Sequence, residues 1–328
     1  MIDGFGRRIR YLRLSVFDRC DLRCRYCMAD EPDFLPKDQV LTLEEMARLA
    51  RVFIRLGVSK IRLTGGEPLV HRGVMSLVQA LGQDVAAGSL NELALTTNGT
   101  QLARHAQGLA AAGVKRVNVS LDSLDPDIFR SITRRGELET VLDGIQAAKK
   151  AGLAVKLNTV ALRGINEGEI DRLIAWCGRE EIDMTLIEAM PLGEFALTMQ
   201  GHDLPLDELR RDLESRWTLV PSDYRSGGPA RYVTVAETGR RLGFITPLSQ
   251  GFCDTCNRVR LSCTGQLALC LGHEKSIDLR APLRSSSDDS AVEQVILGAL
   301  SAKPHGHEFI SPLGGFAPLS RTMNCIGG

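Results

Sequence analysis

The 328-residue chain lacks net charge, because forty Lys and Arg side chains balance forty Asp and Glu. That argues against broad electrostatic binding to nucleic acid or to an anionic membrane, while leaving room for a local basic pocket. No run of about 18 apolar residues occurs, so no membrane span is expected. The opening stretch "MIDGFGRRIRYLRLSVFDRC" has no apolar core of signal-peptide length, so a cytoplasmic location is expected. Internal repeats and low-complexity tracts are missing, and no segment reads as disordered by composition. Hydrophobic residues make up 44% of the chain, ample for one large domain or two ordinary ones.

Cysteine, by contrast, is plentiful. Nine cysteines without an export signal point to metal ligands or free thiols rather than disulfides. Cys20, Cys24 and Cys27 cluster early, and Cys253, Cys256, Cys263 and Cys270 cluster late. Cys177 and Cys325 stand alone and read as small buried or incidental residues. The stretch "CDLRCRYC", Cys20 to Cys27, offers three thiols and no fourth nearby. Thiolates bind zinc or iron–sulfur clusters. The spacing of three residues and then two is neither the C-x-x-C pair of a zinc ribbon nor the ferredoxin run with its fourth cysteine. Three ligands on a four-iron cluster leave one iron open. That iron suits the amine and carboxylate of S-adenosylmethionine (SAM), whose sulfonium a reduced cluster can cleave to a 5′-deoxyadenosyl radical. A zinc loop is the competing reading.

From about residue 12 to 190 the chain alternates strand and helix. Strand-like runs are "YLRLSVF", "KIRLTG", "ELALTTNG", "RVNVSLD", "AVKLNTVAL" and "MTLIEAMP". Thr42 with Glu45 forms a capping-box pattern, and Gly57 and Gly152 supply helix stops. Six such repeats predict parallel strands with right-handed crossovers. A parallel strand covered on both faces should be almost wholly apolar. These strands instead alternate: Arg13 and Ser15, Arg62 and Thr64, Asn118, Ser120 and Asp122, and Lys156 and Asn158 each share one face. Several polar faces in a row predict a curved, partial barrel around a large polar ligand. After Pro191 the rhythm breaks, and residues from about 200 onward read as a smaller domain or cap.

"TGGEP", Thr64 to Pro68, follows the second strand, and together with the cysteine triad it resembles the radical SAM superfamily. Later stretches sharpen this resemblance: "GPARYV", "FCDTCNRVRLSCTGQLALC", "IDLR" and the closing "KPHGHEF…SRTMNCIGG". As an ordered set over nearly the whole chain they are similar to the GTP 3′,8-cyclase family of molybdenum cofactor biosynthesis, the MoaA family. The resemblance implies an α/β fold, an incomplete (β/α)6 TIM-like barrel over residues 1–200. It also implies a C-terminal domain over 201–328 carrying a second iron–sulfur cluster and the Gly-Gly tail. It implies two [4Fe–4S] clusters, one on Cys20, Cys24 and Cys27 that cuts SAM, the other on Cys253, Cys256 and Cys270 with an open iron for the purine of GTP. By the same resemblance Tyr26, Gly66, Ser120 and Met190 hold SAM, and Arg13, Arg62, Thr96, Lys156, Arg258, Val259 and Arg260 hold GTP. The TGGEP glycines are expected to let backbone approach the methionyl amine, and the terminal Gly327 and Gly328 to act in the site.

The implied reaction is removal of the ribose 3′ hydrogen of GTP by the radical, followed by attack of C3′ on guanine C8. The implied partners are a low-potential donor of the flavodoxin or ferredoxin type, a downstream cyclic pyranopterin monophosphate synthase, and a second copy in a homodimer. Cys263 is extra; the resemblance, with its open iron at the second site, implies that it does not ligate that cluster, and it also falls at the tip of a predicted hairpin. His305 and His307 are metal ligands by type, but a surface role is expected. Two rival readings are another radical SAM enzyme with an auxiliary cluster, of the peptide-maturase type, and a non-catalytic protein with two zinc sites.

Overall fold

The computed structural model describes residues 1–192, 201–309 and 323–327. The six expected strands form: β1 (Tyr11–Ser15), β2 (Lys60–Thr64), β3 (Glu92–Thr97), β4 (Arg116–Ser120), β5 (Ala154–Ala161) and β6 (Asp183–Glu188). They pair in sequence order, all parallel. Between them run α1 (Leu43–Arg55), α2 (Val74–Ala86), α3 (Leu102–Ala111), α4 (Pro126–Thr133), α5 (Leu138–Lys150) and α6 (Ile170–Arg179). The capping box at α1 is present in both directions: Thr42 accepts from the Glu45 N–H, and Glu45 accepts from the Thr42 N–H. The two helix stops sit at positive φ, Gly57 at +98° and Gly152 at +79°.

The sheet does not stop at β6. The second half adds α7 (Leu206–Glu214), β7 (Leu219–Pro221), β8 (Arg231–Val235), β9 (Arg240–Ile245), β10 (Arg258–Leu261), β11 (Gln266–Ala268) and β12 (Ile277–Asp278). It continues with α8 (Arg280–Ser285), α9 (Ser290–Ser301) and α10 (Met323–Ile326). Strand β9 lies parallel to β6, and β10 lies parallel to β1 on the opposite side. The order is β12-β11-β10-β1-β2-β3-β4-β5-β6-β9-β8-β7, an open sheet with eight parallel strands at its centre. Both additions answer one problem: β1 and β6 would otherwise be edge strands with unpaired N–H and C=O groups. The change of rhythm near residue 200 is therefore not where the sheet ends.

The apolar faces carry the core. Leu12, Leu14, Ile61, Leu63, Val117, Val119 and Leu157 are wholly buried and pack with the helices in one cluster. The polar faces point the other way, into the curve of the sheet. No helix among the described residues is long and apolar enough to cross a membrane.

Candidate functional site

Strand register sets the lining of the interior. Arg260, Arg13 and Arg62 lie side by side on β10, β1 and β2. Arg258, Tyr11 and Lys60 form the row beneath, and Thr96, Asn118 and Lys156 line up across β3, β4 and β5. These side chains surround a cavity of about 1210 Å³, its open mouth included. Like charges opposite one another on adjacent strands repel. Glu92 pairs with Lys60 and Arg116, at 2.8 Å each, but among the described residues the arginines of β10, β1 and β2 have no such partner. Arg62 donates to the Tyr11 hydroxyl (2.6 Å) and to Thr96 Oγ1 (3.1 Å), and Lys156 donates to the Tyr232 hydroxyl. Among the described residues none of Arg13, Arg62, Lys156, Arg258 and Arg260 forms an ion pair with a carboxylate. The buried Nε atoms of Arg13, Arg258 and Arg260 have no hydrogen-bond partner.

Burial without counter-charge weakens the cationic forms. It lowers Arg13 to about 9 and Arg260 to about 10, with neighbouring arginines adding to the effect. Burial, then Arg62 and Arg116, lowers Lys156 to about 7. Burial alone would raise Tyr11, but Arg62, Arg13, Lys60 and Arg258 outweigh it and bring the phenol to about 8. A site with this balance calls for a polyanion, and a triphosphate supplies about four negative charges to guanidinium forks built for phosphate oxygens.

A second cavity, of about 1020 Å³, opens above the first at the C-terminal ends of the strands. Thr96, Asn158, Ile187, Met190 and Met323 line both, so the two are continuous. Cys20, Cys24 and Cys27 line the upper one, together with Tyr26, Gly66 and Ser120. Cys253, Cys256 and Cys270 line the lower one. The topology explains this division. The first triad follows β1, whereas Cys256 precedes β10, parallel to β1, and Cys270 follows β11, antiparallel to β10. The triads therefore face each other from opposite ends of one lumen.

Among the described residues no three His, Cys, Asp or Glu side chains converge on a single ion-sized point. Thiols ringed around a cavity fit a polynuclear cluster, whose irons are spread in space, better than one zinc ion. Cys20 Sγ accepts from the Leu22 N–H (3.4 Å) and from Asn98 Nδ2 (3.5 Å), contacts that suit a thiolate. The second triad is braced from behind. Arg7, paired with Asp3 at 2.6 Å, donates to the carbonyls of Cys253, Pro304 and His305, and the buried Lys303 donates to the Leu269 carbonyl.

The TGGEP glycines make a close backbone contact within the protein itself. A Cβ on Gly65 would lie 2.4 Å from the Phe17 carbonyl oxygen, and one on Gly66 2.3 Å from that of Arg19. The loop docks on the segment entering the cysteine triad, through Gly66 N–H to Phe17 (2.7 Å) and Glu67 N–H to Arg19 (2.8 Å). The buried Glu67 carboxylate accepts from Leu69 N, Thr97 Oγ1 and Asn98 N, and burial raises it to about 7. Tyr26 donates to Asp122 (2.7 Å), which also accepts from the Val160 N–H and is raised by burial to about 6.

The chain's end returns to this region. Asn324 donates to the Asp18 carbonyl (2.9 Å), and Gly327, at φ +76°, is buried against Thr64. A Cβ there would sit 2.0 Å from Thr64 Oγ1. Gly328 lies outside the described residues. Cys325 is close enough to Cys27 and Cys263 to act on both electrostatically, so it is not incidental. Cys177, on α6, is buried in the core, as expected.

Cys263 sits in the β10–β11 turn, wholly buried, at the hairpin end opposite the second triad. Val259 touches the lower cavity from a core position between Arg258 and Arg260. The surface role expected of His307 is corrected. It lines the lower cavity and hydrogen-bonds the Pro247 carbonyl (2.7 Å), held there by close packing on Gly272. His305 is exposed, 3.1 Å from Asp254. Sequence reasoning passed over Tyr11, Lys60, Arg116 and Tyr232, all lining or bounding the lower cavity. Tyr11 and Lys60 could have been found, because each stands two residues from Arg13 or Arg62 and so shares its face.

Residues 14–177 match the Radical SAM superfamily and residues 182–309 match Molybdenum Cofactor Synthesis C. The class is thus a radical SAM protein with a molybdenum-cofactor-type C-terminal region. The solved structure of Streptococcus suis SuiB bound to S-adenosylmethionine shares the fold, with a TM-score of 0.62 at 18% identity over 88% of this chain and 68% of that one. SuiB bound to its precursor peptide SuiA gives 0.64 at 17%, over 87% and 66%. Among curated proteins, a GTP 3′,8-cyclase of Rhizobium meliloti (strain 1021) is 55% identical over the whole of this chain and 94% of its own length. One from Brucella ovis is 54% identical over the whole chain and 96% of its own length. The chain belongs to the GTP 3′,8-cyclase family, whose cofactors are SAM and two [4Fe–4S] clusters.

Proposed function

We infer that this chain converts GTP to (8S)-3′,8-cyclo-7,8-dihydroguanosine 5′-triphosphate, the first step of molybdenum cofactor biosynthesis. The observation that carries the reading is one continuous lumen with a cysteine triad at each end and unpaired basic side chains between. Cys20, Cys24 and Cys27 would hold the upper cluster, and Cys253, Cys256 and Cys270 the lower. When bound, the upper cluster supplies the electron that cleaves SAM to the 5′-deoxyadenosyl radical, and the lower one an open iron for the purine.

The chain's own residues do the positioning. Tyr26, fixed by Asp122, together with Gly66, Ser120 and Met190, holds SAM in the upper cavity. Arg13, Arg62, Thr96, Lys156, Arg258 and Arg260, with Val259 beside them, hold GTP in the lower, and Lys60 and Tyr11 extend that set. On this reading the ribose lies between the two ends, where the radical would take the 3′ hydrogen and C3′ would add to C8. One electron from the same low-potential donor, with one proton, would close the resulting purine radical at N7. Orientation of this kind contributes much of the rate of a bimolecular step. Gly327 threads the upper rim, and the Gly-Gly tail acts there.

The protein works in the cytoplasm as a homodimer, takes electrons from a flavodoxin- or ferredoxin-type donor, and passes its product to cyclic pyranopterin monophosphate synthase. A peptide maturase has no use for a triphosphate-sized basic lumen, and a two-zinc protein would need thiols that converge. The test is anaerobic incubation of the reconstituted protein with SAM, dithionite and each nucleoside triphosphate, followed by mass analysis of the nucleotide. Cyclised GTP with equimolar 5′-deoxyadenosine is expected. SAM cleavage that leaves GTP intact would reject the substrate.

A further inference from the structure

Outside the lumen, a surface cleft of about 790 Å³ lies between the segment after TGGEP and the start of α3. It is lined by Leu69, Val70, His71, Arg72, Gln101, Arg104 and His105, with no carboxylate among them. Arg72 and Arg104 are exposed, and among the described residues neither has a hydrogen bond or an ion pair. Many of the protein's other exposed arginines are neutralised locally, as Arg55 is by Asp289 (2.6 Å) and Arg284 by Glu45 (2.6 Å). His71 and His105 are kept below their ordinary values by burial, so they add hydrogen-bonding groups more than charge. In a chain with no net charge, two unpaired guanidinium groups flanking one cleft make a local positive field.

The cleft is also wired to the upper triad. Gln101, in its wall, donates to Asp21 Oδ2 (3.4 Å), and Thr100 donates to the same oxygen (2.6 Å). Asn98 Nδ2 joins Asp21 Oδ1 (2.7 Å) to Cys20 Sγ (3.5 Å). Asp21 is the covalent neighbour of Cys20. From cleft to thiol the path is a side chain, one hydrogen bond and a peptide link. The lumen offers no such approach to a protein, because SAM and the nucleotide would fill it.

We propose that this basic cleft is the docking site for a small acidic protein that carries one low-potential electron to the upper cluster. The proposal rests on the assignment of Cys20, Cys24 and Cys27 to the SAM-cleaving cluster, and it adds where the electron enters. In each transfer the carrier is oxidised by one electron and the cluster is reduced by one. No bond forms between the partners and no proton passes between them. Acidic side chains of the carrier meet Arg72 and Arg104, and the charge match speeds encounter more than it tightens the complex.

The test uses the reconstituted holoenzyme and reads 5′-deoxyadenosine, so it stands even where the cyclisation of GTP is misassigned. Rates are measured with reduced flavodoxin and, separately, with dithionite. Arg72→Glu with Arg104→Glu is expected to lower the flavodoxin-driven rate about tenfold or more at low ionic strength. The dithionite-driven rate should stay unchanged. Added salt should slow the native protein toward the variant as the charges are screened. Arg72→Lys with Arg104→Lys, which keeps both charges, should restore most of the flavodoxin rate. A flavodoxin rate equal to the native one at every ionic strength would overturn the proposal. So would a parallel fall with both reductants, which would mean that the arginines serve the SAM site itself.

Discussion

The two cysteine triads use the same chemistry in opposite electrostatic surroundings. Around the upper one, burial raises every thiol, and Glu67 and Asp21 act on Cys20 and Asp122 on Cys24 in the same direction; Cys27 reaches about 12. At the lower one, burial also acts to raise Cys256 and Cys270, but Arg258 and Lys303 more than offset it at Cys256, which ends below its ordinary value. At Cys270 burial prevails, moderated by Lys303 and Arg260. Nearby negative charge disfavours adding an electron to a cluster, and positive charge favours it. Under the proposed assignment this suits the upper site to a strong reductant, which cleavage of a sulfonium needs. The lower one is built to sit beside a polyanion.

The comparison breaks most sharply at the ligands. Cys24→Ser should abolish SAM cleavage altogether. Cys256→Ser and Cys270→Ser should each remove about four of about eight irons per chain and all cyclisation, while uncoupled 5′-deoxyadenosine still forms. Cys263→Ser, at the far end of the β10–β11 hairpin, should keep both the irons and the activity. Iron analysis with product assays decides among these. Loss of about four irons in Cys263→Ser would make the lower cluster four-cysteine and close its open iron.

A smaller effect is expected in the lumen between them. Removing one charge-assisted hydrogen bond costs about 1.5–3 kcal/mol. Arg13→Ala, Arg62→Ala and Lys156→Ala should each weaken GTP roughly ten- to a hundred-fold by equilibrium binding. SAM cleavage without GTP should persist. Unchanged affinity in all three would put the nucleotide elsewhere. Deleting Gly327 and Gly328 should leave both clusters and GTP affinity intact but little cyclised product, because Gly327 packs on Thr64 of the upper cavity.

The lumen should also show its charge balance in pH. Lys156, facing Arg62, Lys60, Arg116, Asp183 and Tyr232, is brought to about 7 by burial and its cationic neighbours. Above that pH it is mostly neutral in the free enzyme, and an adjacent phosphate favours the charged form. GTP binding at pH 8 should therefore take up a proton, and affinity should fall by up to about tenfold per pH unit above 7. Calorimetry in buffers of different ionisation enthalpy reads the uptake, which Lys156→Met should reduce to the part carried by Tyr11, itself brought to about 8. The smallest change expected is in Lys303→Met. Loss of that buried charge should lower the midpoint potential of the lower cluster by roughly 30–60 mV and leave that of the upper one unmoved. Equal shifts at both sites would remove the electrostatic distinction.

Much of this was legible in the sequence because it is local. The Thr42–Glu45 cap, the six strands and the polar faces of Arg13, Arg62 and Lys156 follow from spacings of two to four residues. Lys60 was missed although the same period of two places it beside Arg62. His307 was misplaced because nothing local says that Gly272 will pack against it. The contact that Gly65 and Gly66 make within the protein was not foreseen for the same kind of reason. A glycine announces a close approach, but the partner, here the Phe17–Arg19 backbone, comes from elsewhere in the chain.

By itself the sequence determined the two triads, the alternation of polar and apolar faces, and a chain able to wrap helices around a polar interior. These depend on residue type and periodicity, which each segment carries alone. Only the tertiary structure decided that β9 and β10 complete the sheet on both sides, that the triads stand at opposite ends of one lumen, and that Gly327 returns to Thr64. Those outcomes depend on which strand pairs with which and in what direction. Backbone hydrogen-bonding groups are the same in every strand, so that choice is made by packing between segments far apart in the chain.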